Sequence, residues 1–328
     1  MQPGECMRSS LRRTLMQIVL AAAPVTSAGC FITGDCYDEK TATYRIPEPP
    51  PMQLEMLVRA CEADATKCFE LCQKVFQENH PYSGISDCEV KHDATGHDIK
   101  VEYEVATGNS GCPVEGRRPA GLKRCLPRRR TLAGAQLARA AHFEAASVYA
   151  FVGLARELSR HGAPTHLITA AQRAALDEVR HAHLVGELAR ARGAEPAPAV
   201  VAPPKRRSLE SLATENAAEG VVGETWAALI AYWQAHHAPT AELRGAYAQI
   251  ADDELRHAEL AREVAAWAET QLSPAARRRV RLARHKAVTR LARGVRRGAP
   301  AALTDELGIP APPQMQQLFA DARAQLWA

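Results

Sequence analysis

Two short stretches constrain this chain more than any other feature: "DEVRHAHL" at 177–184 and "DDELRHAEL" at 252–260. Each carries Glu-x-x-His, as Glu178/His181 and Glu254/His257, in surroundings rich in Ala and Leu. On a helix, positions i and i+3 lie about 60° apart in projection and about one turn apart along the axis, so both members of each pair point the same way. If the neighbouring Ala and Leu side chains line a bundle axis, the carboxylates are buried with them. A buried carboxylate without a partner is costly and tends to protonate instead. A cation site between the two pairs removes that cost.

The stretches belong to a longer repeat. With residue n set against n+75, Glu144 falls on Glu219, Phe151 on Trp226, Leu154 on Leu229 and His161 on His236, and "HGAPT" (161–165) falls on "HHAPT" (236–240). One inserted residue then brings Glu178, Arg180 and His181 onto Glu254, Arg256 and His257. Punctuation by Gly, Pro, Ser and Thr predicts four helices: 131 to about 161, 164–192, 208–237 and 240 to about 272. Each is a rod about 40 Å long at 1.5 Å per residue. Each half is a helical hairpin with a short turn, whereas the Pro-rich link 193–207 ("GAEPAPAVVAPPKRR") reaches about 50 Å when extended. That is the length of a rod, as one long crossover requires. Glu144 and Glu219, from the first helix of each hairpin, complete a set of four carboxylates and two imidazoles.

Glu, Glu-x-x-His, Glu, Glu-x-x-His on four successive helices resembles the ferritin-like di-iron carboxylate superfamily, which includes the rubrerythrins and bacterioferritins. The resemblance covers residues 131–272. It implies a mainly α fold with a ferritin-like four-helix bundle, and it implies Glu144, Glu178, His181, Glu219, Glu254 and His257 as metal ligands, with Glu178 and Glu254 bridging. Glu224, five residues after Glu219 and about 140° round an α-helix from it, is the rival or an additional carboxylate; register against Glu144 favours Glu219. A ligand set rich in oxygen with two nitrogens suits two iron ions first and manganese second.

Around the ligands, Asp177 and Asp253 are candidate acceptors for the second N–H of a ligating histidine. Arg180 and Arg256 are expected to face outward or to clamp the opposite hairpin. Tyr149, Tyr232 and Tyr247 are read as packing residues with a possible electron-carrying role. Gly220 and Gly223 are unusual inside a helix, where each costs up to about 1 kcal/mol against Ala. They are expected to let two helices approach closely or to leave room beside the metals.

Outside the bundle, Arg8, Arg12 and Arg13 precede the apolar run "TLMQIVLAAAPVTSA", which reads as an export signal over residues 1–28. "SAGC" leaves acylation of Cys30 open. All nine cysteines lie at or before Cys125. With Cys6 in the signal, the remaining eight suit disulfides in an oxidising compartment, and no CxxC pair supports zinc. Residues 29–125 therefore read as a small disulfide-rich α+β domain. It has a helix over 55–79 carrying Cys61, Cys68 and Cys72 on one face, and a strand "HDIKVEYEV" hairpinned with 87–91 across "HDATGH". A basic linker at 126–130 leads to the bundle. Beyond it, a basic extension (273–328) begins with an amphipathic helix at 273–297, which either packs on the bundle or meets an anionic membrane surface or acidic partner.

The net charge of +4 over 328 residues excludes a general nucleic-acid-binding protein. The expectation is an exported di-iron oxidoreductase that uses O2 or peroxide on a further substrate. The alternative is a non-catalytic metal-binding or structural protein of the cell envelope.

Overall fold

The computed structural model describes residues 3–22, 37–64, 67–79, 85–93, 95–106, 117–119, 122, 131–202 and 206–327. They form two compact units, Asp35–Asn109 and the rest of the chain. Cys30, Cys36, Cys112, Cys125 and the linker 126–130 lie outside the described residues. The chain opens with helix α1 (Pro3–Ala21).

The small unit contains β1 (Tyr37–Pro47), α2 (Met52–Ala63), α3 (Cys68–Asn79), β2 (Ile85–Asp93) and β3 (Gly96–Ala106). The strands form an antiparallel sheet in the order β1-β3-β2, and β2 and β3 make the expected hairpin. Ile46, Leu54, Val58, Leu71, Phe76, Ile99 and Val101 form its core. The single helix expected over 55–79 is instead two, α2 and α3. The reason is covalent. Seven residues of continuous helix would put Cys61 and Cys68 about 10 Å apart, beyond the reach of a disulfide. These two cysteines are bonded at a Cα separation of 4.3 Å, so the chain must fold back between them. A second disulfide, Cys72–Cys88, ties α3 to β2.

The large unit is built from long helices. α4 (Leu132–Arg160) and α5 (Thr165–Ala191) form one antiparallel hairpin. The second begins with α6 (Leu209–Glu215), continues without a break through a π-helical stretch (Asn216–Glu224) into α7 (Thr225–His237), and returns as α8 (Ala241–Gln271). The starts of three of these helices are capped. The side-chain oxygens of Thr131, Ser208 and Thr240 accept from the backbone N–H three residues on, which satisfies donors that the first helical turn leaves open. Gly162 and Gly193, at φ of 71° and 72°, end α4 and α5 in a backbone conformation that L side chains rarely adopt.

The connection between hairpins runs alongside α4 and can be followed by its hydrogen bonds. Thr131 Oγ1 donates to the carbonyl of Arg192 near the start of α4, His142 Nδ1 contacts the carbonyl of Ala197 at 3.0 Å, and Arg160 and His161 reach the carbonyl of Arg207 at the far end. The crossover therefore spans the whole rod.

The remaining helices are α9 (Pro274–Arg297), α10 (Ala301–Leu307) and α11 (Pro312–Leu326). α9 packs on the π-helical stretch, and Arg279 pairs with Glu210 of α6. Trp327, just beyond α11, donates its indole N–H to the carbonyl of Val221 and packs with Trp226 and Phe319. α1 contacts α7, α8 and α11, burying Leu11, Leu15, Ile18 and Val19 in the same core. Among the described residues, no helix is long and apolar enough to cross a membrane.

Candidate metal centre

Midway along the bundle, one carboxylate from each hairpin's first helix meets a Glu-x-x-His pair from its second. The side chains fall into two overlapping groups: Glu144, Glu178, His181 and Glu254, and Glu178, Glu224, Glu254 and His257. Within each group the ligand atoms lie within 4.8 Å of one another, and all of these residues are buried. Nδ1 of His181 is 3.4 Å from Glu254, 3.8 Å from Glu178 and 3.9 Å from Glu144. Nδ1 of His257 is 3.2 Å from Glu178 and 3.7 Å from Glu254. Glu178 and Glu254 belong to both groups and sit between the two imidazoles.

Five of the six residues read from the sequence are thus brought together: Glu144, Glu178, His181, Glu254 and His257. Glu219 is not among them, and Glu224 occupies the remaining corner. The repeat places Glu219 opposite Glu144 only if both helices keep the α pitch. The π-helical stretch breaks that assumption, because each of its turns takes up an additional residue. Glu224 and Glu254 then stand equally far from the turn joining α7 and α8. Glu219 is only half-buried, next to Arg118. Burial pushes its carboxyl up, against the pull of the Arg118 charge and backbone N–H.

Both imidazoles are oriented from outside. Nε2 of His181 lies 3.0 Å from Asp253, and Nε2 of His257 lies 3.3 Å from Asp177, so each histidine is held by the other hairpin's aspartate. Arg180 donates to Asp177 and Asp253, and Arg256 donates to the same two carboxylates. The arginines clamp across the hairpins, one of the two roles expected of them. With each Nε2 engaged by an aspartate, each Nδ1 is turned into the cluster.

Arg117, preceding the bundle, is only 2% exposed and was not singled out by the sequence reading. Its guanidinium donates to Asn216 Oδ1 at 2.5 Å and reaches Glu224 at 3.4 Å, and its carbonyl accepts from Ser147. Gly220 makes the space: a Cβ there would fall 2.3 Å from the Arg117 guanidinium and 2.8 Å from Ala261 Cβ. At Gly223 a Cβ would meet only the carbonyl of Ala218 at 3.7 Å. The first glycine is required by packing and the second is not.

The electrostatics follow from burial and proximity. Burial raises the Glu254 carboxyl, but the two adjacent imidazoles more than reverse this and hold it well below the usual carboxylate range. Burial and the charge of Glu254 push Glu224 well above that range. Burial disfavours imidazolium, yet Asp253, Glu254 and Glu178 hold His181 up at about 9. His257 is also raised against burial, by Asp177, Glu178 and Glu254. Four buried carboxylates in one cluster thus demand positive charge, from protons or from cations. Both oxygens of Glu178 and Glu224, Oε2 of Glu254 and Nδ1 of each histidine are buried without a well-directed hydrogen bond. Protein interiors rarely leave so many polar atoms together in that condition. Carboxylate oxygens and imidazole nitrogens facing a common centre could hold metal ions.

Next to the cluster is a cavity of about 40 Å3, with Ala140, Val185, Trp226 and Ile230 in its walls and Glu144 and Glu254 on its lining. Tyr247 also lines it, Tyr232 donates to Asp252, and Tyr149 is exposed.

Comparison of the chain with protein-family models, with curated proteins and with solved structures finds no match. What the molecule shows by itself is a mainly helical unit whose long packed helices enclose carboxylate–histidine clusters able to form a metal site.

Proposed function

We propose that the helical unit is a ferritin-like di-metal bundle and that the chain is an exported oxidoreductase acting on O2 or peroxide. The observation that carries this reading is the sharing of Glu178 and Glu254 between two groups that each own one histidine and one further glutamate. That is the pattern expected of two ions joined by two carboxylates, with Glu144 and His181 serving one and Glu224 and His257 the other. Iron, with manganese second, fits the donor set and would supply redox chemistry toward O2 or peroxide.

The chain's own residues supply the rest. Asp177 and Asp253 fix the imidazoles, Arg180 and Arg256 fix the aspartates, and the buried walls keep bulk water from the carboxylates. The cavity beside Glu144 and Glu254 has room for a molecule the size of O2, since a water needs about 10–15 Å3 by the same measure. The disulfides Cys61–Cys68 and Cys72–Cys88 support a location outside the reducing cytoplasm.

Metal analysis of the wild-type chain and of Glu178→Ala and His257→Ala tests the site: unchanged metal content in both variants would refute it. Rapid mixing of reduced, iron-loaded protein with O2 or peroxide tests the reaction. New visible absorption together with oxidant consumption is expected. Bound metal that consumes neither would reduce the reading to metal holding.

A further inference from the structure

We infer that the small disulfide unit carries a metal site of its own, a mononuclear site for a borderline divalent ion such as Zn2+, built from Glu62, His92 and His97. It is independent of the reading given to the bundle.

The site is set up by strand register. His92 on β2 and His97 on β3 are direct cross-strand partners beside the hairpin turn, so their side chains emerge on the same face. Their rings lie 4.5 Å apart. His97 also continues the inward row of β3, two residues before Ile99 and four before Val101, both fully buried. This places an imidazole at the end of an apolar row, only 1% exposed. Glu62, near the end of α2, brings Oε1 to 3.0 Å from His97 Nε2 and 4.0 Å from His92 Nδ1. The ligand atoms of the three residues all lie within 4.8 Å of one another. Ligands about 2.0–2.2 Å from a tetrahedral ion are about 3.3 Å apart, so small side-chain movements close the set.

A structural ion pair between Glu62 and His97 would need neither His92 nor the other side of the His97 ring. That other nitrogen, Nδ1, is buried without a well-directed hydrogen bond and faces Glu48 at 4.0 Å. A ligating imidazole usually has such a carboxylate behind it, where it fixes the tautomer and ring orientation. The turn is also braced. Asp93 accepts from the backbone N–H and hydroxyl of Thr95, and Arg45 on β1 pairs with Asp93 and Asp98 at 2.6 and 2.9 Å. The backbone that carries the two histidines is therefore braced on both sides of the turn. Two imidazoles and one carboxylate are borderline donors suited to Zn2+ or Cu2+, whereas the carboxylate-rich bundle cluster is harder. Glu62 and His92 are exposed, which leaves a fourth position to water or a small ligand.

The test is Zn2+ binding by the full-length chain carrying Glu178→Ala, which disables the bundle cluster, measured by competition with a chromogenic chelator. One equivalent should bind, and His92→Ala or Glu62→Gln added to that background should each weaken binding at least tenfold. Both positions are exposed, so folding should survive, as circular dichroism can verify. With Cu2+ as probe, paramagnetic resonance should show coupling to two nitrogens, falling to one in His92→Ala. Equal Zn2+ affinity in all three chains, or a two-nitrogen signal that survives His92→Ala, would overturn the assignment. Failure here leaves the bundle reading untouched, because the metal content of a chain with intact Glu178 is a separate measurement.

Discussion

The two hairpins of the bundle started as near copies in sequence and ended as unequal partners in structure. In the first, α4 is an ordinary α-helix and its glutamate, Glu144, faces the cluster directly. In the second, the corresponding helix is π-helical from Asn216 to Glu224, and the cluster receives Glu224 in place of the aligned Glu219. The wider turn accompanies a buried arginine. Arg117 occupies the space that a side chain at Gly220 would fill and touches Glu224. Equivalence in an alignment is therefore not equivalence in space once a helix changes pitch.

The comparison can be broken most severely at the residues both hairpins share. Glu178→Ala removes a carboxylate that belongs to both groups, and metal analysis should show bound metal falling from about two ions per chain to near none. The sharper contrast is between Glu224→Gln and Glu219→Gln. The first should lose at least one ion, while the second should keep wild-type content; the reverse result would restore the sequence register and remove any role for the π-helical stretch.

A smaller effect is expected one layer out. Asp177→Asn or Asp253→Asn leaves every candidate ligand in place but loosens the imidazole of the opposite hairpin, and should weaken metal binding about 10–100-fold in chelator competition. Because the two aspartates serve opposite histidines, the two losses should be of similar size. The glycines give the smallest effect. Gly220→Ala should cost about 1–3 kcal/mol in urea unfolding, as overpacking against Arg117 and Ala261. Gly223→Ala should be neutral or stabilising by up to about 1 kcal/mol.

Much of this architecture was legible because helix boundaries are written locally. Thr131, Ser208, Thr240 and Ser273 cap helices at the expected starts, Gly162 and Gly193 stop them, and the Pro-rich link is long enough to act as a crossover. Four cluster residues were legible because i, i+3 spacing repeated in a common frame, and Glu144 because that frame extends to the first helix of each hairpin. Glu224 could be offered only as a rival. Gly220 and Gly223 stood out as unusual inside a helix, but no local pattern says whether such a stretch is α or π, and Arg117, which packs against Gly220, comes from far away in the sequence. The continuous helix over 55–79 failed for a related reason, since the Cys61–Cys68 bond overrides the periodicity that suggested it. His92 and His97 were visible as letters. Their pairing became meaningful only through the strand register, which the sequence suggested without fixing.

The exchange of aspartates has an implication for how such a molecule could arise. His181 leans on Asp253 and His257 on Asp177, each contact the mirror of the other, as across the isologous face of a symmetric homodimer. Each hairpin's imidazole is held at Nε2 from the other hairpin. A shorter relative with a single hairpin would therefore need a second copy of itself to form the centre, and the long connection makes that association permanent.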